Sequence, residues 1–139
     1  MIALEKLRDR MAELSDLHSV EMLLHWDQLV TMPGEGAAAR AQQLGVLARL
    51  THERATGTEI GDWLSELDGV VTDELDRDIV RLARRDWERA RRVPEQLAVD
   101  LARASADGQE SWHRARAADD FGAFEGALQR NVELARAYG

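Results

Sequence analysis

Four histidines carry most of the chemistry available to this sequence, and their spacing limits it. Residues 50 to 57 read LTHERATG. His52 and Glu53 form the first half of a zinc-binding HExxH helix, in which two imidazoles one turn apart grip the metal and the glutamate activates water. The place of the second histidine is taken by Thr56, so the motif is incomplete. His18, Glu21 and His25 offer a second arrangement on one helix. Glu21 is three residues from His18 and four from His25, close enough to share an ion with either. The two histidines are seven apart, about 10 Å along a helix axis, too far to be joint ligands. A third and fourth ligand would have to come from another helix. The ordinary reading is two histidines on an apolar face, hydrogen-bonded to a neighbouring helix. Glu110 and His113 form one ExxH pair, but di-iron bundles need two such pairs with two further glutamates.

Other constellations are weaker still. There is no cysteine, which excludes disulfides and thiolate ligands and permits a reducing compartment. Ser15, Ser19, Ser65, Ser105 and Ser111 lie in helical pattern without a strand-turn-helix elbow, and no glycine-rich phosphate loop is present. No residue is therefore assigned to a catalytic, cofactor or metal role. Arg77, Arg81, Arg84, Arg85 and Arg92 make a basic stripe, read as a solvated face that pairs with Asp78 and Glu88, with docking of an acidic partner as the alternative. Trp26, Trp63, Trp87 and Trp112 are expected to fill gaps between helices. Asp27 is expected to bond to Arg40 or to the backbone of the turn that follows.

The elements that must position these residues are helical. The chain has 139 residues, a net charge of -8 and only two prolines, Pro33 and Pro94. Ala, Leu, Arg and Glu abound while β-branched residues are sparse, a helix-forming composition. The acidic balance argues against nucleic acid or an anionic membrane as partner. A start charged every few residues predicts neither a signal peptide nor a membrane span, and a cytoplasmic location is expected. Leu4, Leu7, Met11, Leu14, His18, Met22, His25 and Leu29 share one face of a predicted helix over 3–31. Pro33, Gly34 and Gly36 end it. A second helix is predicted over 37–55, with Leu44, Leu47, Thr51 and Ala55 on one ridge and Val46 and Leu50 beside it. Gly57 is read as its stop and Thr58 as the N-cap of a short helix through Leu67. Asp68-Gly69 is a turn, and a helix from Thr72 or Asp73 runs to about Arg91. Pro94 opens a helix over 94–104, followed by another over 105–118 that Gly108 weakens. Asp119 or Asp120 caps a last helix with Phe121, Phe124, Leu128 and Val132 on one side. The fold class is all-α: a single domain over 1–139, a compact array of six or seven helices with a long first helix and no sheet.

Taken in series, several segments carry a resemblance. Trp26-Asp27-Gln28, Met32-Pro33, Arg40 with Gln43-Leu44, Leu50, and His52-Glu53 with Thr56 are followed by Val93-Pro94-Glu95, Trp112 with Ala115-Arg116, and Phe121 with Phe124 and Leu128. This order and spacing resembles the amino-terminal region of the thermostable carboxypeptidase Taq family of zinc metallocarboxypeptidases. One departure is visible, because Phe124-Glu125-Gly126-Ala127-Leu128 lacks the proline of the family's Phe-x-Pro-x-Leu. Members of that family are much longer, with HExxH, a further glutamate ligand and the substrate-carboxylate site beyond the matched region. The resemblance implies that this chain is the helical amino-terminal part of such an enzyme, walling the substrate groove, contributing to a dimer and inactive alone. It also implies that the cofactor, zinc or another divalent metal, belongs to the complete enzyme. The partner would be the catalytic remainder, with peptide substrates bound only by the whole. Trp26, Asp27, Gln28, Met32, Pro33, Arg40, His52, Glu53, Pro94, Trp112, Arg116, Phe121 and Phe124 are then structural positions. A fragment of this kind should expose apolar surface, with Val46 and Leu50 as part of it, and self-associate. The alternatives are a free-standing helical interaction domain and, more weakly, a metal-binding bundle built on His18, Glu21 and His25.

Overall fold

The computed structural model describes residues 2–139. Six helices form: α1 (Ile2–Val30), α2 (Ala37–Thr56), α3 (Thr58–Glu66), α4 (Glu74–Ala90), α5 (Glu95–Ala117) and α6 (Gly122–Tyr138), with a short 3-10 turn over Gly34–Gly36. There is no strand among the described residues, and none of the helices is long and apolar enough to cross a membrane.

The breaks lie where local chemistry demands them. After α1 the backbone N–H groups of Thr31 and Met32 both donate to the Asp27 carbonyl, closing the helix before Pro33 removes the next donor. Asp73 caps α4 by accepting from the Asp76 N–H at 3.2 Å, satisfying one of the free donors of the first turn. Thr58 is the first residue of α3 rather than its cap; Gly57 holds the cap position. The last helix is preceded by Phe121 at the cap position, without a side-chain bond. Asp119, at φ 51°, supplies the left-handed residue that ends α5, a conformation that Asp tolerates better than most side chains.

Residues 95–117 form one helix where two were expected. The reason is Gly108, which is buried. The Asn131 side chain of α6 lies over it, so that a methyl group there would sit 2.8 Å from Asn131 Nδ2. That nitrogen donates to the Ala104 carbonyl at 3.0 Å and the Ala127 carbonyl at 2.9 Å. The glycine thus lets α6 approach α5, and this packing offsets its poor helix propensity.

Two apolar clusters hold the array together. In the first, Ala3, Leu4 and Leu7 of α1 meet Ile60, Leu64, Leu67, Val80 and Ala83, with Trp63 and Trp87 packed against them. In the second, Ala41 and Leu44 of α2 meet Ala106 of α5, with Leu24 and Ala102 alongside. One straight helix, α1, must serve both, and its inward line therefore differs from the expected face. Leu4, Leu7, Met11 and Leu14 point inward, but the line continues through Leu17, Glu21, Leu24 and Gln28. That advance averages less than the 3.6 residues of a helical turn, so the buried stripe rotates around the axis as it passes from one cluster to the next. His18, Met22 and Leu29, placed on the buried face by sequence, are exposed. A similar shift occurs in α6, where Phe124, Ala127, Asn131 and Leu134 are the more buried line while Leu128 and Val132 are each 39% exposed.

The α3–α4 contact depends on Gly61. A methyl group there would lie 2.6 Å from Trp87 Cη2. The indole cannot retreat easily, because its N–H donates to the Gly57 carbonyl at 3.0 Å and the Arg91 guanidinium stacks on the ring at 4.4 Å. Gly61→Ala should cost about 1–3 kcal/mol through overpacking, despite the better helix propensity of alanine. Urea unfolding followed by circular dichroism would show this as a lowered midpoint.

Candidate functional site

His25 of α1 and His52 of α2 meet at one groove of about 500 Å³, between α1, α2 and α5, which Tyr138 also lines. Glu21, His25 and His52 line it together with small residues such as Ala48, Thr51 and Ala102. Glu21 stands between its two neighbours, 3.6 Å from His18 Nδ1 and 3.7 Å from His25 Nε2. Both are contacts along the same helix, as the spacing requires. The second helix sends no ligand toward them. His52 Nε2 lies 2.6 Å from the Val93 carbonyl, so this nitrogen carries the proton and donates. Among the described residues no group of three His, Asp or Glu side chains is placed to hold a metal ion. The donor set here does not fit the metal of a metallopeptidase, and no reaction step is assigned to it.

His52 instead ties α2 to the buried Val93 in the turn between α4 and α5. Thr56, in the place of the absent second histidine, turns its hydroxyl back to the His52 carbonyl at 2.7 Å. Glu53 is exposed. His52→Ala should remove about 1 kcal/mol of stability, the net worth of one hydrogen bond, as measured by chemical denaturation.

The Trp26-Asp27-Gln28 segment is split by the helix into three directions. Gln28 is buried and donates from Nε2 to the Ala106 carbonyl at 3.1 Å, joining α1 to α5. Its Oε1 is buried without a partner. Asp27 pairs with Arg40 at 2.6 Å and accepts from the Thr31 hydroxyl. Arg40 also donates to the Leu24 carbonyl at 2.5 Å and to Gln43 Oε1 at 3.0 Å, so one guanidinium ties α1 to α2. The Thr31 hydroxyl, and next the Arg40 guanidinium, hold the Asp27 carboxyl below the ordinary carboxylate range. A carboxyl whose folded pKa is depressed stabilises the fold above its unfolded pKa, about 4, and loses that contribution as pH falls through the lower folded value. Asp27→Asn should therefore be less stable than the parent at pH 7, with the difference shrinking on acidification below about pH 4. Thermal melts across that range would check it.

Trp26 points the other way and is 54% exposed. With Met22, Leu23, Leu29 and Val30 it forms an apolar stripe along the outer face of α1. The expectation that all four tryptophans fill gaps is corrected by this: Trp63 and Trp87 pack on the first cluster, whereas Trp26 and Trp112 are about half exposed. A single-face reading of α1 misses this stripe, although its three- and four-residue spacing at 22, 26 and 29 is legible once a second face is sought. Val46 and Leu50 of α2 are exposed as anticipated, each at 44%.

The later segments gather at the α5–α6 corner. Trp112, Arg116, Phe121 and Phe124 line a single hollow of about 220 Å³. The two phenyl rings meet edge to face at 6.2 Å, a favoured arrangement of ring quadrupoles. Pro94 precedes α5 at its cap position. Glu110 lies toward Arg114, 4.0 Å away, and His113 meets the Trp112 ring at 5.2 Å, so the ExxH pair binds nothing together. The hydroxyls of Ser19, Ser65 and Ser111 are all spent on backbone carbonyls.

The family described as Carboxypeptidase Taq (M32) metallopeptidase matches residues 6–139. Thermostable carboxypeptidase 1 of Thermus thermophilus is 38% identical over 138 residues, covering 96% of this chain and 27% of that protein. Thermostable carboxypeptidase 1 of Pyrococcus furiosus is 31% identical over 117 residues, covering 84% of this chain and 23% of that protein. The chain thus spans about a quarter of the length of the curated relatives it matches. The BsuCP crystal structure superposes with a TM-score of 0.93 at 20% identity, over 99% of this chain and 28% of that one. A Pyrococcus furiosus carboxypeptidase structure gives 0.71 at 26% identity, over 98% and 28%. The chain belongs to the carboxypeptidase Taq (M32) family of metallopeptidases.

Proposed function

We propose that this chain is the amino-terminal helical portion of a metal-dependent carboxypeptidase that removes C-terminal residues from peptides, and that it walls the substrate groove while the remaining portion supplies zinc or another divalent metal and the chemistry. The observation that carries this reading is the solvent-facing stripe of Met22, Leu23, Trp26, Leu29 and Val30 on α1. Apolar surface gathered along one helix marks a contact made elsewhere, and the relatives are some four times longer. The catalytic portion of the same enzyme is the partner that covers it. Alone, the chain is inactive, and the cytoplasm is its expected location.

A chimaera tests the proposal. The matching region of the Thermus thermophilus carboxypeptidase is replaced by residues 1–139, and release of C-terminal residues from a blocked peptide is followed. The chimaera should retain activity while a version lacking the region loses it, and the isolated chain should release nothing. An inactive but folded chimaera would favour a free-standing interaction domain. Chelator-sensitive trimming by the purified chain alone would overturn the assignment.

A further inference from the structure

The arginine stripe of α4 does not behave as one solvated face. Arg85 pairs with its neighbour Asp86 at 2.8 Å, whereas Arg77, Arg81 and Arg84 turn toward one hollow of about 300 Å³ where α4 meets the end of α3. Its floor includes Leu67 and Val80, both buried in the first apolar cluster. Arg84 is fixed by donating to the Leu64 carbonyl at 3.1 Å and reaches Asp68 only at 3.5 Å. Arg81 has an exposed partner on its own helix, Asp78 at 3.1 Å. Arg77 has no acidic side chain within ion-pair distance among the described residues. Three guanidinium groups and one carboxylate, Asp68, line the hollow; with Asp78 held on Arg81, three cations meet two carboxylates, which leaves one positive charge unmatched on a chain of net charge -8.

Like charges three and four residues apart on a helix repel one another; Asp78 and Asp68 offset Arg81 and Arg84, while Arg77, one turn from Arg81, has no carboxylate partner of its own among the described residues. Guanidinium groups present paired donors that match two oxygens of a carboxylate or phosphate. We propose that Arg77, Arg81 and Arg84 form a binding pocket for a small dianion, bearing phosphate or carboxylate oxygens, that seats over Leu67 and Val80. The pocket lies on α3 and α4, and the proposal is independent of the peptidase reading.

Isothermal titration of the chain with inorganic phosphate and, separately, with succinate distinguishes the two sources, with chloride holding ionic strength constant. Saturable binding of at least one is expected. Arg77→Ala with Arg81→Ala should weaken it at least tenfold, since each lost charge-assisted pair counts separately. Arg85→Ala with Arg92→Ala, outside the hollow, should change it less than twofold. Both pairs are exposed, so melting curves should confirm folded variants. Equal weakening by the two double variants would reduce the effect to diffuse electrostatics and overturn the pocket. Binding of a polyglutamate peptide alone, with neither small anion saturating, would overturn it in favour of a docking face.

Discussion

Leu64→Ala is expected to destabilise the chain by about 3 kcal/mol, within the range for leucine deletions in a packed core. Leu64 has no solvent exposure and sits among Leu4, Leu7, Ile60, Leu67 and Val80. The loss has two parts, the transfer free energy of the removed carbons and the cavity left in a cluster drawn from three helices. The second part is large here because α3 is pinned to α4 at two points. The Arg84 guanidinium holds the Leu64 carbonyl from α4, and Gly61 touches the Trp87 ring, so the backbone cannot collapse into the void. For a chain of this size the melting temperature should fall by about 10 °C, with helicity lost in one transition. A loss below about 1 kcal/mol would mean that the α1–α3–α4 cluster is not packed as described.

Leu23→Glu combined with Trp26→Glu should have the largest effect on assembly. Both side chains face solvent in the isolated chain, at 62% and 54% exposure, so folding stability should change by less than about 0.5 kcal/mol. The proposed contact with the catalytic portion is another matter. A buried tryptophan at the centre of an interface is worth about 2 kcal/mol or more, and two carboxylates placed there would be buried unpaired. In the chimaera, peptide hydrolysis should drop at least thirtyfold while the protein stays folded. In the isolated chain, concentration-dependent self-association by sedimentation should give way to a monomer. A chimaera with unchanged activity, or a parent chain that is strictly monomeric at high concentration, would remove α1 from the docking surface.

The two variants probe the core and the surface of the molecule, and the sequence disclosed these unequally. Helix positions followed from short-range rules: Pro33, the Asp68-Gly69 turn and Pro94 separate segments whose residues favour helix. Gly108 lies outside those rules: local propensity opposes a helix there, while its role is to admit Asn131 from the next helix. A single face describes the first half of α1, where only one cluster is packed; beyond it His18, Met22 and Leu29 are exposed, and of that line only His25 stays half-buried. A fixed periodic template cannot register a stripe that rotates between two partners.

The sequence by itself determined that the chain is helical, that His52-Glu53 is only half of a zinc motif, and which family its ordered segments resemble. All three rest on residue identity and spacing along one chain. Tertiary structure decided that His52 donates to Val93, that Arg40 rather than the turn backbone takes Asp27 and gathers Leu24 and Gln43 at the same corner, and that Trp26 faces outward while Trp87 packs in. Those outcomes depend on which helix lies against which, and burial is a property of pairs of surfaces that no single periodicity contains.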